Sequence, residues 1–340
     1  MTTTMRITGL RRQARTRRAA TTTALALLVM AVFCASLIWG EVIYSPTQVW
    51  QVLSGEQVAG ASYAVGTLRL PRAVLGLAAG LAFGAAGVVF QTLLRNQLAS
   101  PDIIGISSGA SAAGVICIVF LGLGQTMVSV VSLIAALGVA VLIYVLSHRG
   151  GFSGARLILI GIGMAAMLNS LVTYSLSRAD TWDLPTATRW LTGSLNGATW
   201  ERTLPLGVTV AVLLPVLLAA QRNIILLRLG DATATGLGVN VTATRVIVII
   251  AAVALIAVAT AACGPIAFVA FVSGPLALRL LGPGAPPVLP AALVGALVVL
   301  TADLAGQYLL GTRYPVGVIT GALGAPFLIY MLIRSNREAG

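Results

Sequence analysis

LRLPRAVLGLAAGLAFGAAGVVFQTLL, residues 68–94, decides the fold of this chain. Arg69 and Arg72 flank Pro71, a residue that suits the first turn of a helix. The run 73–94 carries no charge, and about 20 apolar residues at helical rise cover the hydrocarbon core of a bilayer. Glycines recur at three- and four-residue steps on one face, at Gly76, Gly80, Gly84 and Gly87. Such a stripe lets a second helix approach closely, so the stretch predicts a membrane-spanning helix buried in a bundle.

The composition extends this prediction to the whole chain. Of its 340 residues, 58% are hydrophobic and only 9% are charged, against roughly 25% charged in soluble domains. All 21 basic residues are arginine, so the chain has no lysine for a P-loop or a Schiff base. Cys34, Cys117 and Cys263 are far apart in apolar runs and are expected to be core thiols. Because no paired carboxylates or nucleophile motif appear, we expect a polytopic membrane protein without enzyme activity.

Ten apolar runs predict an all-α protein with ten spans and both termini in the cytoplasm. The runs are 22–44, 71–94, 103–121, 127–147, 157–177, 204–220, 246–262, 266–280, 288–303 and 315–333. This layout places 15 of the 21 arginines inside, as the positive-inside rule requires. Residues 1–20 are interpreted as a basic cytoplasmic arm without regular structure. The run 22–44 is too long for a signal-peptide core, so 21–335 is one transmembrane domain.

The longest internal loop, 222–245, contains LLRLGDATATGLGVNVTATR at 226–245. Gly230 can end one helix and Asp231 can cap the next, while Gly236 and Gly238 interrupt it. The pattern predicts two short helices on the cytoplasmic face, and an ordinary connecting loop is the alternative.

The fifth span carries a polar face. Asn169, Thr173 and Ser177 follow one another at four-residue steps, with Ser170 beside them. Hydrogen bonds between helices and a translocation pathway both account for such residues.

Several stretches carry a resemblance to a known family. LRLPR, FQTLLRNQLASPDIIG at 90–105, ISSGA at 106–110 and RYPVGVITGALGAPFLIYMLIR at 313–334 resemble the FecCD-type permeases of ATP-driven importers for ferric siderophores and cobalamin. The resemblance implies a type II ABC importer permease in the cytoplasmic membrane. It also implies a second, homologous permease chain, with a heterodimer favoured over a homodimer. Two ATPase subunits would bind ATP and Mg²⁺, an extracytoplasmic binding protein would deliver substrate, and this chain would bind no cofactor and no nucleic acid.

The resemblance also assigns roles to residues. The internal loop is expected to contact the ATPase through Leu229, Gly230, Asp231, Gly236, Leu237, Gly238, Val239 and Asn240. Arginines at 69 and 72 are expected to contact carboxylates of the binding protein. The third family arginine is missing at Gly306, and Arg313 is the candidate replacement. The fifth and tenth spans are expected to line the pathway through Asn169, Ser170, Thr173, Ser177, Gly317, Thr320 and Gly321.

The cargo is suggested by Val272-Ser273-Gly274-Pro275 and by RYPVG, which resemble catecholate-siderophore permeases. We therefore expect import of a ferric siderophore by alternating access. Alternatives are a cobalamin or heme importer permease of the same family, or an ion-coupled secondary transporter. The last class needs an ionisable site deep in the membrane. Asp102 and Asp303 are the acids nearest the bilayer, and for Asp303, at the outer end of a span, we expect structural hydrogen bonding.

Overall fold

The computed structural model describes residues 3–97, 99–100, 105–147, 154–282 and 285–339, with side chains for the same ranges apart from 3–11, 332 and 334–339. Every regular element within those ranges is helical. The elements are α1 (Thr3–Ile38), α2 (Pro46–Leu53), a π-helical segment (Ser62–Arg69), α3 (Leu70–Leu93), α4 (Ile106–Val119), α5 (Gln125–Ser147), α6 (Gly154–Ser177), α7 (Leu184–Thr192), α8 (Trp200–Leu227), α9 (Asp231–Gly236), α10 (Val241–Cys263), α11 (Val269–Leu281), α12 (Val288–Tyr308) and α13 (Val316–Ala339). Asp102 and the predicted turn at 148–151 lie outside the described residues.

Ten apolar helices correspond in order to the ten predicted spans. Seven are long and apolar enough to cross a membrane: α1, α3 with its π-helical extension, α5, α6, α8, α10 and α12. Helices α4, α11 and α13 supply three shorter apolar segments. The short helices α2, α7 and α9 lie in the connections. The all-α, polytopic prediction is confirmed.

Three predictions about individual segments are wrong. The second span does not begin at Pro71, because the π-helical segment Ser62–Arg69 runs directly into α3. Helix α8 continues to Leu227 and α10 begins at Val241, so the internal loop shrinks to 228–240. The basic arm is helical and continuous with the first span. Arginine and alanine are strong helix formers, and the spanning helix supplies a nucleus from which the arm extends.

Helix α3 lies at the centre of the bundle, and its glycine stripe explains why. A Cβ added at Gly80 would overlap the backbone of Ala296 in α12, and one at Gly84 would overlap Ala291. From the other side, Gly295 of α12 lies against the backbone of Gly80. These contacts between backbones leave no room for larger side chains. The predicted close helix approach is confirmed.

Long-range ion pairs sort the connecting segments into two ends. Arg72, at the start of α3, pairs with Asp303 near the end of α12. Arg95, just after α3, pairs with Asp231 at the start of α9. Segments predicted to be outside therefore meet at one end of the bundle and segments predicted to be inside meet at the other. This grouping agrees with the alternating direction of the spans, and the two groups are called the outer and inner ends below.

Candidate functional site

The three arginines predicted to dock a binding protein line one cavity of about 360 Å³ at the outer end. Arg69 is the last residue of the π-helical segment, Arg72 lies in the first turn of α3, and Arg313 comes from the connection between α12 and α13. Glu41 lines the same space. We call it the outer arginine cavity. The sequence separates Arg72 from Arg313 by most of the chain, so the fold is what brings the predicted set together.

The guanidinium group of Arg72 already has hydrogen-bond partners within the chain. Its Nε and Nη2 each donate to a different oxygen of Asp303 at 2.8 Å, and its Nη1 donates to Asn196 Oδ1 at 2.7 Å. Gln307 Nε2 also donates to Asp303 at 2.7 Å. We call these four residues the outer ion-pair cluster. A bidentate guanidinium–carboxylate pair is among the stronger polar contacts in proteins, and the predicted hydrogen-bonding role of Asp303 is confirmed.

The other two arginines also have internal partners. Arg69 donates to the carbonyl oxygens of Leu37, Ile38 and Val42 at 2.7–3.0 Å, so it holds the end of α1 against α3. Arg313 pairs with Glu41 across the rim of the cavity, where both side chains are mostly exposed. Of the three arginines, Arg313 is therefore the one whose charge is most accessible to a partner.

Gly306, where we expected the third family arginine from the resemblance, is a glycine for a packing reason. Gly306 is buried beneath Tyr314, whose backbone N–H donates to the Gly306 carbonyl at 2.9 Å. A Cβ at this position would lie 2.7 Å from the Tyr314 carbonyl oxygen, which is closer than any side chain tolerates. An arginine cannot stand here without moving the chain that carries Arg313.

At the inner end, the connection 228–240 forms one short helix instead of the two predicted. Helix α9 ends at Gly236, and the chain turns through Gly238, which has a φ of 83°. Asn240 then caps α10 by accepting from the Ala243 N–H at 3.0 Å. No residues remain for a second short helix, because the spanning helix begins at once. Val239 is buried beneath this turn.

The tip of this connection presents two apolar side chains. Leu229, just before α9, is 59% exposed, and Leu237, just after α9, is 54% exposed. Gly230, with a φ of 107°, is the residue that turns the chain into the helix.

Asp231 does not cap α9 as predicted, because arginines hold its side chain elsewhere. Arg245 Nη2, on α10, donates to both of its oxygens at 3.0 and 3.1 Å. Arg95 Nη2 lies 3.3 Å from the same carboxylate and also donates to the Leu227 carbonyl at 3.2 Å. We call Asp231, Arg245 and Arg95 the inner ion-pair cluster. It connects α9 to the inner ends of α3, α8 and α10.

The predicted pathway residues on α6 share an exposed face. Asn169, Ser170, Thr173 and Ser177 are all exposed in the single chain. The three hydroxyls donate to carbonyls of their own helix at 2.7–3.0 Å. Val172 and Ser175 mark the opposite, buried face. This polar face is therefore open to a partner or to water.

The predicted residues on α13 do not all share that openness. Gly317 is buried against the end of α7, where an added Cβ would overlap the Thr192 carbonyl. Thr320 is 2% exposed, and its hydroxyl donates to the Gly317 carbonyl. Only Gly321 has open space in front of it. Gly317 and Thr320 therefore pack α13 against its own chain and stand away from the open surface.

Sequence reasoning missed the partners in both clusters. Arg95 stood at the polar end of the second span with no predicted partner, and Asn196 and Gln307 carried no motif. Glu41, the partner of Arg313 at the cavity rim, carried none either. These partners can be recognised only from contacts between residues that are far apart in sequence. Arg72 and Asp303, for example, are separated by 231 positions.

Comparisons with known proteins agree with this architecture. The model of the FecCD transport family matches residues 27–334. The achromobactin transport system permease protein CbrC of Dickeya dadantii (strain 3937) is 39% identical over 314 residues, which cover 91% of this chain and 90% of the relative. The ferric enterobactin transport system permease protein FepG of Escherichia coli (strain K12) is 37% identical over 317 residues, covering 92% and 96%. A solved structure, described as an inward-facing conformation of a metal-chelate type ABC transporter, is similar with a TM-score of 0.81 at 27% identity, over 92% of this chain and 98% of that chain.

The fold and its two polar ends define a helical transport permease with several membrane spans. The chain belongs to the FecCD transport family. It is thus a transport subunit of the cell membrane and not an enzyme. As a permease of an ABC importer it works with ATP-hydrolysing and substrate-binding subunits.

Proposed function

We propose that this chain is one of two permease subunits of an ATP-driven importer that moves a ferric siderophore across the cytoplasmic membrane by alternating access. The observation that carries the proposal is the α9 tip, by which we mean the short helix α9 with exposed Leu229 before it and exposed Leu237 after it, held at the inner end by ion pairs. Apolar side chains exposed beyond the membrane surface suit a protein interface. The cargo class is supported by relatives named for ferric enterobactin and achromobactin.

Coupling to the ATPase would pass through the inner ion-pair cluster. Closure of two ATPase subunits would push on the α9 tip, and Asp231 would transmit the displacement to Arg245 on α10 and to Arg95 at the end of α3. ATP and Mg²⁺ belong to the ATPase in this scheme. The chain's own contribution is the ion-paired connection between the tip and the spans.

Docking of the binding protein would use the outer arginine cavity. Carboxylates of the binding protein would approach Arg313 first, since it is 63% exposed. Arg69 and Arg72 would keep the cavity in shape, because their donors already hold α1 and α12. Guanidinium groups at a partly exposed rim suit carboxylate recognition.

The pathway would run along the exposed polar face of α6, beside Gly321 of α13. Polar side chains facing lipid would leave Asn169 without partners for its amide, which is costly in hydrocarbon. A second permease chain across a water-filled route would satisfy this face. We propose a homologous but different chain, so that the two halves form a heterodimer.

An ion-coupled mechanism is not favoured. It would need a carboxylate that changes partners during the cycle. Asp303 is instead held by Arg72 on both oxygens and by Gln307.

Transport assays test this function directly. The chain, its partner permease and the ATPase are reconstituted in liposomes with the binding protein on the opposite side from ATP. We expect ATP-dependent accumulation of an iron-55 ferric catecholate, abolished by an inactive ATPase variant. Labelled cobalamin and heme serve as competing cargoes. Uptake driven by a proton gradient without ATP would contradict the proposal. Accumulation of cobalamin or heme alone would show that this compound, and not a ferric siderophore, is the cargo.

A further inference from the structure

A crevice at the inner end lies outside all the sites described so far. It has a volume of about 1000 Å³ and lies between the first part of α1 and the inner ends of α8, α11 and α12. Its apolar wall includes Leu218, Leu281 and Leu289, and its basic edge is formed by Arg15 and Arg18. None of its lining residues is acidic. We call it the basic crevice.

The crevice exists because the first part of α1 packs loosely, and its fully buried side chains begin at Leu25. Leu25 and Val29 are buried against α3 and α12. From 12 to 24, no side chain of α1 is buried. The helix therefore stands away from the bundle at its inner end and leaves a space open toward the membrane.

The crevice lies near the inner ends of three predicted spans. Gln221 lies six residues before the end of α8, roughly 9 Å at helical rise. Leu289 lies in the first turn of α12, and Leu281 is the last residue of α11. At the inner ends of the spans we expect the acyl chains to begin, and arginine side chains next to them can extend to the headgroups.

The wall also contains an acceptor without a partner. The Gln221 carboxamide oxygen is buried and has no hydrogen-bond partner among the described residues. A buried polar atom left unpaired is costly. Gln221 lines the crevice, so a rotation of its carboxamide would let a hydroxyl-bearing headgroup donate to this oxygen.

We propose that the basic crevice binds one anionic phospholipid of the inner leaflet, with its phosphate between Arg15 and Arg18, its glycerol headgroup near Gln221 and its acyl chains along the leucines. Basic pockets between helices on the cytoplasmic side suit anionic headgroups. The lipid would fill the space between α1 and the bundle. The site does not depend on the cargo or on ATP.

The test uses the full chain, purified in mild detergent and titrated with phosphatidylglycerol or phosphatidylcholine while bound lipid is counted by native mass spectrometry. We expect one retained phosphatidylglycerol per chain and weaker binding of phosphatidylcholine. Each arginine near an anionic surface contributes about fivefold in affinity, so Arg15→Gln with Arg18→Gln should weaken binding by about 30-fold.

The matched control is Arg12→Gln with Arg17→Gln, which removes the same charge from exposed positions of α1 that do not line the crevice. It should change binding by less than about twofold. A second variant, Leu289→Trp, keeps both arginines but narrows the crevice at its apolar wall, and it should also weaken retention of the lipid.

Three outcomes would overturn the proposal. Equal losses in the two arginine pairs would show a general surface attraction. Equal retention of phosphatidylcholine would show an ordinary boundary lipid. Displacement of the lipid by millimolar inorganic phosphate alone would show a simple anion site.

Discussion

Each end of the bundle holds a carboxylate paired with arginine, but the two clusters differ in the burial of that carboxylate. In the outer ion-pair cluster, the side chain of Asp303 is 8% exposed and that of Arg72 is 20% exposed. In the inner cluster, Asp231 is 53% exposed and Arg95 is 51% exposed, while Arg245 is 14% exposed. Buried pairs are costly to break and exposed pairs are weak. The comparison indicates that the outer cluster fixes the ends of α3 and α12, whereas the inner cluster can adjust when a partner presses on α9.

The largest effect is expected from breaking the outer cluster. Arg72→Ala should lower the free energy of unfolding by about 3–5 kcal/mol, because it leaves Asp303 charged and buried without its partner. Thermal unfolding of the purified protein measures the change. Arg222→Ala, at an exposed arginine, should stay within about 0.5 kcal/mol.

A paired replacement sharpens this prediction. Arg72→Met with Asp303→Leu should recover most of the lost stability, since no charge is then left buried. An Arg72→Ala protein that melts like the original would show that the outer cluster does not fix the fold.

The next effect concerns the α9 tip at the inner end. Leu237→Asp should reduce uptake by more than about tenfold, because a charge would enter the apolar socket of the ATPase. ATPase recovered in co-purification should fall in parallel, with the protein still present in membranes. Thr242→Asp, an exposed site in the first turn of α10 where an acid is tolerated, is the control. Full uptake by the Leu237 variant would show that the α9 tip is not part of the coupling interface.

A smaller effect is expected within the inner cluster. Asp231→Asn should change stability by less than about 1 kcal/mol, yet lower uptake by roughly two- to thirtyfold through a coupling loss of about 0.5–2 kcal/mol. Arg245→Gln should behave alike, and the double variant should be no worse than either single one. Thr233→Val, exposed on α9, should be neutral. Additive losses would show that the two residues act separately.

The smallest effect is expected at the outer rim. Arg313→Glu should weaken binding-protein affinity about fivefold, and added salt should reduce the difference because an exposed pair is screened over about 8 Å. Reversal of the matching carboxylate on the binding protein should restore affinity. Arg178→Glu, exposed on the outer side but outside the cavity, is the control. Equal losses in both variants would indicate a diffuse field instead of a contact.

Local features of the sequence predicted the fold well. The apolar runs predicted ten spans, and the glycines of α3 predicted a close contact between helices. Both predictions succeeded because each depends only on the spacing of residues along one helix. Boundaries were less predictable. Pro71 suits a first turn, yet packing of the preceding segment extends the helix back to Ser62. Two short helices were predicted around Gly236, but Asn240 starts α10 immediately.

The sites depended on contacts that no local pattern contains. Arg72 was predicted to face a partner, but Asp303 meets it only after α3 and α12 pack through their glycines. Gly317 and Thr320 matched a family motif, yet Gly317 packs against α7 of the same chain and Thr320 is buried. The docking, coupling and pathway roles remain predictions that the variants above examine.

The most direct test of the account is the nucleotide dependence of thiol labelling along α6. After replacement of the native Cys34, Cys117 and Cys263, a single cysteine is placed at Thr173 on the exposed face or at Ser175 on the buried face. In the reconstituted importer, we expect a water-soluble reagent to label the Thr173→Cys protein at a rate that changes when ATP is trapped on the ATPase. The Ser175→Cys protein should stay protected in both states. Equal labelling of both cysteines, or a Thr173→Cys rate that is indifferent to nucleotide, would contradict an ATP-gated pathway along this helix.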